Sequence, residues 1–174
     1  MTEQSAMGRL LDLEEIRRLV LRYSVAIERR DADMMASLFS ANARFGRWGE
    51  GESGLRALMR DTFESSILAV ILVANHLIDF DGPDQAHGQV WARCYVQNDP
   101  GEFVEQLIKY EDTYERIDGR WTFLRRGHRL WFGAAVAASP LDQPPANWPE
   151  HQVGVGDVPL ADPAFAAWYE RDRR

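Results

Sequence analysis

The sequence predicts an α+β protein, with helices first and an antiparallel sheet after them. Three observations predict it. Apolar residues recur at helical spacing up to about residue 65, the pattern changes to extended runs from residue 67, and tight turn pairs separate those runs. Consecutive strands joined by such turns form an antiparallel meander rather than a βαβ array.

The first helix is carried by Leu13, Ile16, Leu19, Val20, Tyr23 and Ile27, with Glu14, Arg17, Arg18 and Arg22 on other faces. Asp12, with Glu15 three positions on, resembles a capping box, so residues 1–11 read as a frayed end and the helix runs to about Arg30. "DADMMASLFSANA" reads as a short second helix with Met34, Met35, Leu38 and Phe39 inward. Ser53 is the expected cap of a third, whose packing stripe is Leu55, Leu58, Met59 and Phe63.

Four extended segments follow, "ILAVILVANHLIDF", "AHGQVWARCYVQ", "EFVEQLIKYEDTYERI" and "RWTFLRRGHRLWF". Turns are expected at Asp81-Gly82, Pro100-Gly101 and Asp118-Gly119. The apolar run 67–74 has the length of a buried strand. Residues 1–138 form the expected domain. Residues 139–174 hold six of the eight prolines (Pro140, Pro144, Pro145, Pro149, Pro159 and Pro163), so they read as an extension without a core of its own. Its terminal "AFAAWY" predicts that it docks on the domain or on a partner subunit.

Bulk properties narrow the function. A chain of 174 residues is long enough for one domain with a substantial core. A net charge of -7 argues against nucleic acid, which needs a concentrated basic face. No run approaches the ~20 apolar residues of a membrane span, and no signal segment opens the chain. The single cysteine, Cys94, cannot pair internally and suits a reducing cytoplasm; its apolar strand makes it a core residue rather than a nucleophile. The four histidines lack metal-ligand spacing, and no phosphate-cradling glycine motif occurs, so neither metal nor organic cofactor is expected. The 11% aromatic content fits a thick core, a sheet-stacked dimer or a pocket for a flat apolar ligand.

The order "IRRLVLRYSVAIERRD", "LFSANARF", "ANHLIDFDG" and "YEDTYERIDGRWTFLRR" resembles the SnoaL-like branch of the nuclear-transport-factor-2-like superfamily, over residues 10–135. That superfamily includes scytalone dehydratase, bile-acid dehydratase, hexachlorocyclohexane dehydrochlorinase, polyketide cyclases and, more distantly, ketosteroid isomerase. The resemblance implies a curved sheet wrapped around the long first helix as a cone (a cystatin-like α+β barrel), with a ligand pocket at its mouth. It also implies a homodimer or larger homo-oligomer. Dehydratases and dehydrochlorinases of this kind use a His–Asp dyad, in which the carboxylate orients an imidazole that removes a proton beside a leaving group. The resemblance places Glu28 in the acid slot and Ile71 in the histidine slot, so the usual base is missing.

His76 is five residues past that slot, and strand alternation places it on the opposite face unless a bulge intervenes. Glu28 is either a solvated carboxylate or, at the inner mouth of the cone, an acid or base with a raised pKa. The dehydrochlorinase-like pattern puts Arg126 in the pocket as an anion stabiliser, and His128 shares its strand face as a possible proton carrier; the alternative is a solvated "RRGHR" run. Tyr23 on the helix stripe and Tyr110 and Tyr95 on strands are core tyrosines or, as the resemblance implies, groups that polarise a substrate carbonyl. Asn75 is a candidate polar contact, Trp48, Trp91 and Trp131 are candidate cavity walls, and Asp112 reads as structural.

Two functions stay open. One is a cofactor-independent lyase or isomerase of the dehydratase, cyclase or deformylase kind, acting on a hydrophobic aromatic or polycyclic molecule. The other is a non-catalytic small-molecule-binding or accessory subunit that has lost the dyad.

Overall fold

The computed structural model describes residues 3–98, 101–147, 149–158 and 161–172. Helix α1 (Glu3–Arg29) is followed by α2 (Ala32–Ala36), a 3-10 turn (Gly46–Trp48) and α3 (Gly51–Glu64). Then come β1 (Ser66–Phe80), β2 (Gln85–Asn98), β3 (Phe103–Ile117) and β4 (Arg120–Ala135), a second 3-10 turn (Pro140–Asp142) and α4 (Pro163–Asp172). The strands form one antiparallel sheet in the order β1-β2-β3-β4, the expected meander. Among the described residues no helix is long and apolar enough to cross a membrane.

The helix-spaced stripe of α1 enters the core: Ile16, Leu19, Val20 and Ile27 are buried against the sheet's inner face, with Tyr23 packed beside them. Met35 and Leu38 close one side, and Leu55, Met59 and Phe63 of α3 close another. Tyr114 and Phe123 are the largest of the sheet's fully buried side chains, and Trp121 of β4 is nearly as buried beside them. Each such side chain contributes about 1.5–3 kcal/mol on leaving water.

Four local readings are corrected. α1 does not begin at Asp12 but continues upstream to Glu3. Asp12 instead accepts from Arg116 Nη1 (2.7 Å) and Trp121 Nε1 (3.0 Å), and Glu15 accepts the Trp121 backbone N–H (2.9 Å). The two carboxylates thus fasten the β3–β4 hairpin to α1 rather than capping the helix. Ser53 lies inside α3, whose N-cap is Glu50. The run 67–74 is not wholly buried, because Leu72 on the outer face is 53% exposed.

The hairpin turns follow their residue types. Asp118 (φ 51) and Gly119 (φ 78) both lie in the left-handed region, as a two-residue primed turn between right-twisted strands requires. Asp81 lies in a longer turn closed by its N–H to the Gln85 carbonyl (3.0 Å). Pro100 of the expected Pro100-Gly101 turn lies outside the described residues, as does Pro159 of the extension.

Register shifts break the ladders at four points among the described residues, one of them between Val73 and His76 of β1. Val73 pairs with Ala92 and His76 with Val90, so three steps on β1 oppose two on β2. This bulge restores inward facing at His76, opposite the fully buried Val90.

The described residues of the extension meet the body near Ser139 and again at α4. Ser139 Oγ donates to Gln97 Oε1 on the outer face (2.7 Å). Farther on, Phe165 and Trp168 of α4 join the core, Asp162 pairs with Arg29 (2.8 Å), and the Arg30 guanidinium lies 4.1 Å from a Trp168 ring centroid.

Candidate active site

A cavity of 340 Å³ opens between α1, α3 and the inner face of the sheet. Its walls are mainly apolar, with Ile27, Leu58, Met59, Ala69, Ile71, Val96 and Ile108 contributing. Thr62, Ser65, Ser66, Asn98 and Gln106 add uncharged polar groups. Tyr23, Tyr110, Arg126 and His128 add two phenol hydroxyls, a guanidinium and an imidazole.

Strand alternation on β3 and β4 assembles that group. Tyr110 pairs with His128 and Asp112 with Arg126, so all four face inward. Arg126 is held by two contacts to Asp112, Nε to Oδ1 at 2.9 Å and Nη2 to Oδ2 at 2.6 Å. Its side chain is 5% exposed and that of Asp112 is 0%. Burial opposes the Arg126 charge, but Asp112 outweighs it and the guanidinium pKa rises above its ordinary value. The rings of Tyr23, Tyr110 and Phe123 surround the cation, with centroids 4.3, 4.2 and 4.4 Å away.

The tyrosines are neutral donors. Burial raises Tyr23 and Arg126 partly offsets it, while Tyr110 rises well above its ordinary value, first by burial and then by Tyr23. His128 sits at the rim, its ring 5.6 Å from that of Tyr110, and burial lowers its pKa. It is therefore a neutral imidazole at neutral pH, able to accept a proton. Cys94 also lines the cavity, but burial pushes its thiol up to about 11, so it is not a nucleophile at neutral pH.

Behind Arg126 the hydrogen bonding continues. Tyr114 Oη donates to Asp112 Oδ2 (2.8 Å), and His76 Nε2 lies 3.1 Å from Tyr114 Oη. Burial lowers His76 to about 4.

Of the residues singled out in the sequence, the cavity brings together Tyr23, Ile71, Tyr110, Arg126 and His128. The rest are placed elsewhere. Glu28 is half-buried on α1 but does not line the cavity. The Trp48 indole donates to Asp61 Oδ2 (2.6 Å) between the 3-10 turn and α3. Asn75 falls in the bulge and is exposed. Trp91 and Tyr95 alternate onto the outer face, where Lys109 and Arg93 lie over their rings. Trp131 is 63% exposed beside another register shift. Ile71 does line the wall, so an alkyl group stands at the position for which the sequence resemblance implied a histidine.

Reading the sequence alone missed the reach of Asp112, Tyr114 and His76. The alternation Tyr110, Asp112, Tyr114 puts three polar groups on one inner face and is a signal for the first two. Nothing in Ala74-Asn75 marks the bulge that turns His76. Among the described residues no group of three or more His, Cys, Asp or Glu is placed to hold a metal ion.

Residues 8–127 match the family model for a SnoaL-like domain. The chain belongs to the SnoaL-like domain family. No curated protein matches it. The solved structures that share its fold include LinA, at 20% identity and a TM-score of 0.73 over 80% of this chain and 99% of that one. A scytalone dehydratase-like protein of Novosphingobium aromaticivorans aligns at 19% identity and 0.67, over 80% and 99%. Rv3472, a protein of unknown function from Mycobacterium tuberculosis, aligns at 20% and 0.62, over 97% of this chain and 90% of its own. At these identities the likeness establishes the fold, a SnoaL-like α+β cone.

Proposed function

We propose that this SnoaL-like protein is a lyase or isomerase that moves a proton on an apolar ring compound, aromatic or polycyclic, without a metal or organic cofactor. The reading is carried by one observation: a neutral imidazole, two phenol hydroxyls and a buried guanidinium converge on one wall of an otherwise apolar cavity. Dehydrochlorinase and dehydratase-like structures among the fold relatives support it.

The chemistry follows from the donors and acceptors. His128 takes a proton from a carbon next to a carbonyl, and the electron pair moves to the carbonyl oxygen. Tyr23 and Tyr110 are the available hydroxyl donors for that oxygen, with the Arg126 cation behind their rings. The protonated His128 then returns the proton to another atom or to a departing group. An apolar surround strengthens each polar contact. Ile71 and the alkyl walls hold the ring. Residues 139–174 act as an extension of the 1–138 domain, and the exposed Leu130, Trp131 and Phe132 of β4 are its surface for self-association.

The test is solvent-deuterium incorporation into α-tetralone, an enolisable bicyclic aryl ketone, followed by mass spectrometry. Exchange above buffer is expected, with a loss of about 10²–10⁴-fold in His128→Phe, the usual worth of a positioned base. Glu28→Gln should exchange at the parent rate. Exchange as fast in His128→Phe as in the parent would overturn the assignment of the base. Binding without exchange across a panel of such ketones would point to a carrier instead.

A further inference from the structure

The cavity explains Arg126 but not the polar line behind it, which ends at a partly buried histidine outside the cavity lining. Proton counting fixes the sense of that line. An ionised carboxylate only accepts, so Asp112 takes both guanidinium contacts and the Tyr114 hydroxyl proton. Tyr114 has no second proton, and its oxygen can offer His76 only a lone pair. The His76 Nε2 at 3.1 Å must then carry the hydrogen.

Two backbone features exist around this contact. The β1 bulge turns His76 inward, as described. Gly88, opposite Asp112 on β2, leaves the space that Tyr114 fills; a Cβ there would meet the Tyr114 ring at 3.1 Å and the Leu77 carbonyl at 2.7 Å. The groups that bear electrostatically on His76 are Asp112, Arg126 and Arg17 of α1. None replaces the Tyr114 contact.

We infer that His76 is a positioning residue: by donating Nε2–H to Tyr114 it fixes the hydroxyl on Asp112, and so holds Arg126 beneath Tyr23 and Tyr110. Its meaning for catalysis rests on the proposed function of the cavity, while the linkage itself does not. It differs from the dyad expected of the fold relatives, because this imidazole acts through three other side chains and never meets the substrate.

Long-range ¹H–¹⁵N NMR of the full chain tests it, reading the His76 tautomer and the hydrogen exchange of Arg126 Nε–H. The Nε2–H tautomer is expected in the parent. In His76→Phe, Arg126 Nε–H exchange should quicken about fivefold, the loss of one net hydrogen bond of order 1 kcal/mol. His76→Gln, which restores an N–H donor, should bring exchange back towards the parent rate. Tyr114→Phe deletes only the hydroxyl and should match His76→Phe, so it decides the question if the latter fails to fold. An Nδ1–H tautomer, or unchanged exchange in both Phe variants, would overturn the inference. Failure of the tetralone assay leaves these readings unaffected, so the two ideas fail separately.

Discussion

Replacing Asp112 with Asn tests the arrangement at its most loaded point. The substitution keeps the shape but removes the charge facing a guanidinium that is 5% exposed. An amide can present an oxygen to Tyr114 or to one Arg126 nitrogen, but its NH₂ then faces another donor. Breaking one partner of a buried pair costs about 3–5 kcal/mol, because the remaining charge is left uncompensated in a poorly solvated place. For a chain of this length that lowers Tm by roughly 6–20 °C. The assay is urea unfolding followed by circular dichroism and tryptophan fluorescence. The decisive comparison is a double variant, Asp112→Leu with Arg126→Met, which removes both charges and should regain most of the loss. If Asp112→Asn costs less than about 1 kcal/mol, the pair behaves as an exposed salt bridge and the buried-cation argument is wrong. If the double variant is no more stable than the single, the loss came from packing and not from charge.

Acid should loosen the fold through His76. Unfolded, the imidazole binds a proton below about 6.5, whereas in the fold it stays neutral down to about 4, so stability falls as pH drops through that window. The full effect corresponds to about 3 kcal/mol and shrinks to about half that for a partly exposed ring; urea midpoints from pH 7 to 4 should flatten in His76→Gln, and an unchanged slope would contradict the assignment. Gly88→Ala should destabilise by about 1–3 kcal/mol through overpacking against Leu77 and Tyr114, measured by the same unfolding curves. Trp168→Ala should cost about 3 kcal/mol and release α4 from Arg30, seen as faster proteolytic cleavage within residues 139–162. Equal cleavage in the variant and the parent would mean that α4 is held by other contacts.

Much of the architecture was legible because it rests on periodicity. The α1 stripe, the four strands and the Asp118-Gly119 turn follow from residue spacing and from which residues tolerate a positive φ. The errors share a cause as well. Asp12 and Glu15 have the chemistry of a helix cap, but the same carboxylates serve Trp121 and Arg116, more than a hundred residues away. Local propensity cannot see such partners. Arg126 and His128 were readable because they lie past the β4 register shift near Leu124 and keep ordinary alternation with each other. His76 was not readable, because one unpaired residue upstream reverses the face of everything after it. Trp91 and Trp131 show the converse: a large aromatic ring suggests a cavity wall, but its parity on the strand decides.

The interruption in β1 has a consequence for how such a strand can change. A regular strand is addressed as a whole, and a one-residue length change swaps its lining along its entire extent. Here the two halves are separately moored to β2, at Val73–Ala92 and at His76–Val90. Loss of Asn75 would heal the ladder while leaving Ile71 and His76 both facing in. The join therefore absorbs changes of length that would scramble an unbroken strand, and the two ends of the cone can drift in sequence independently.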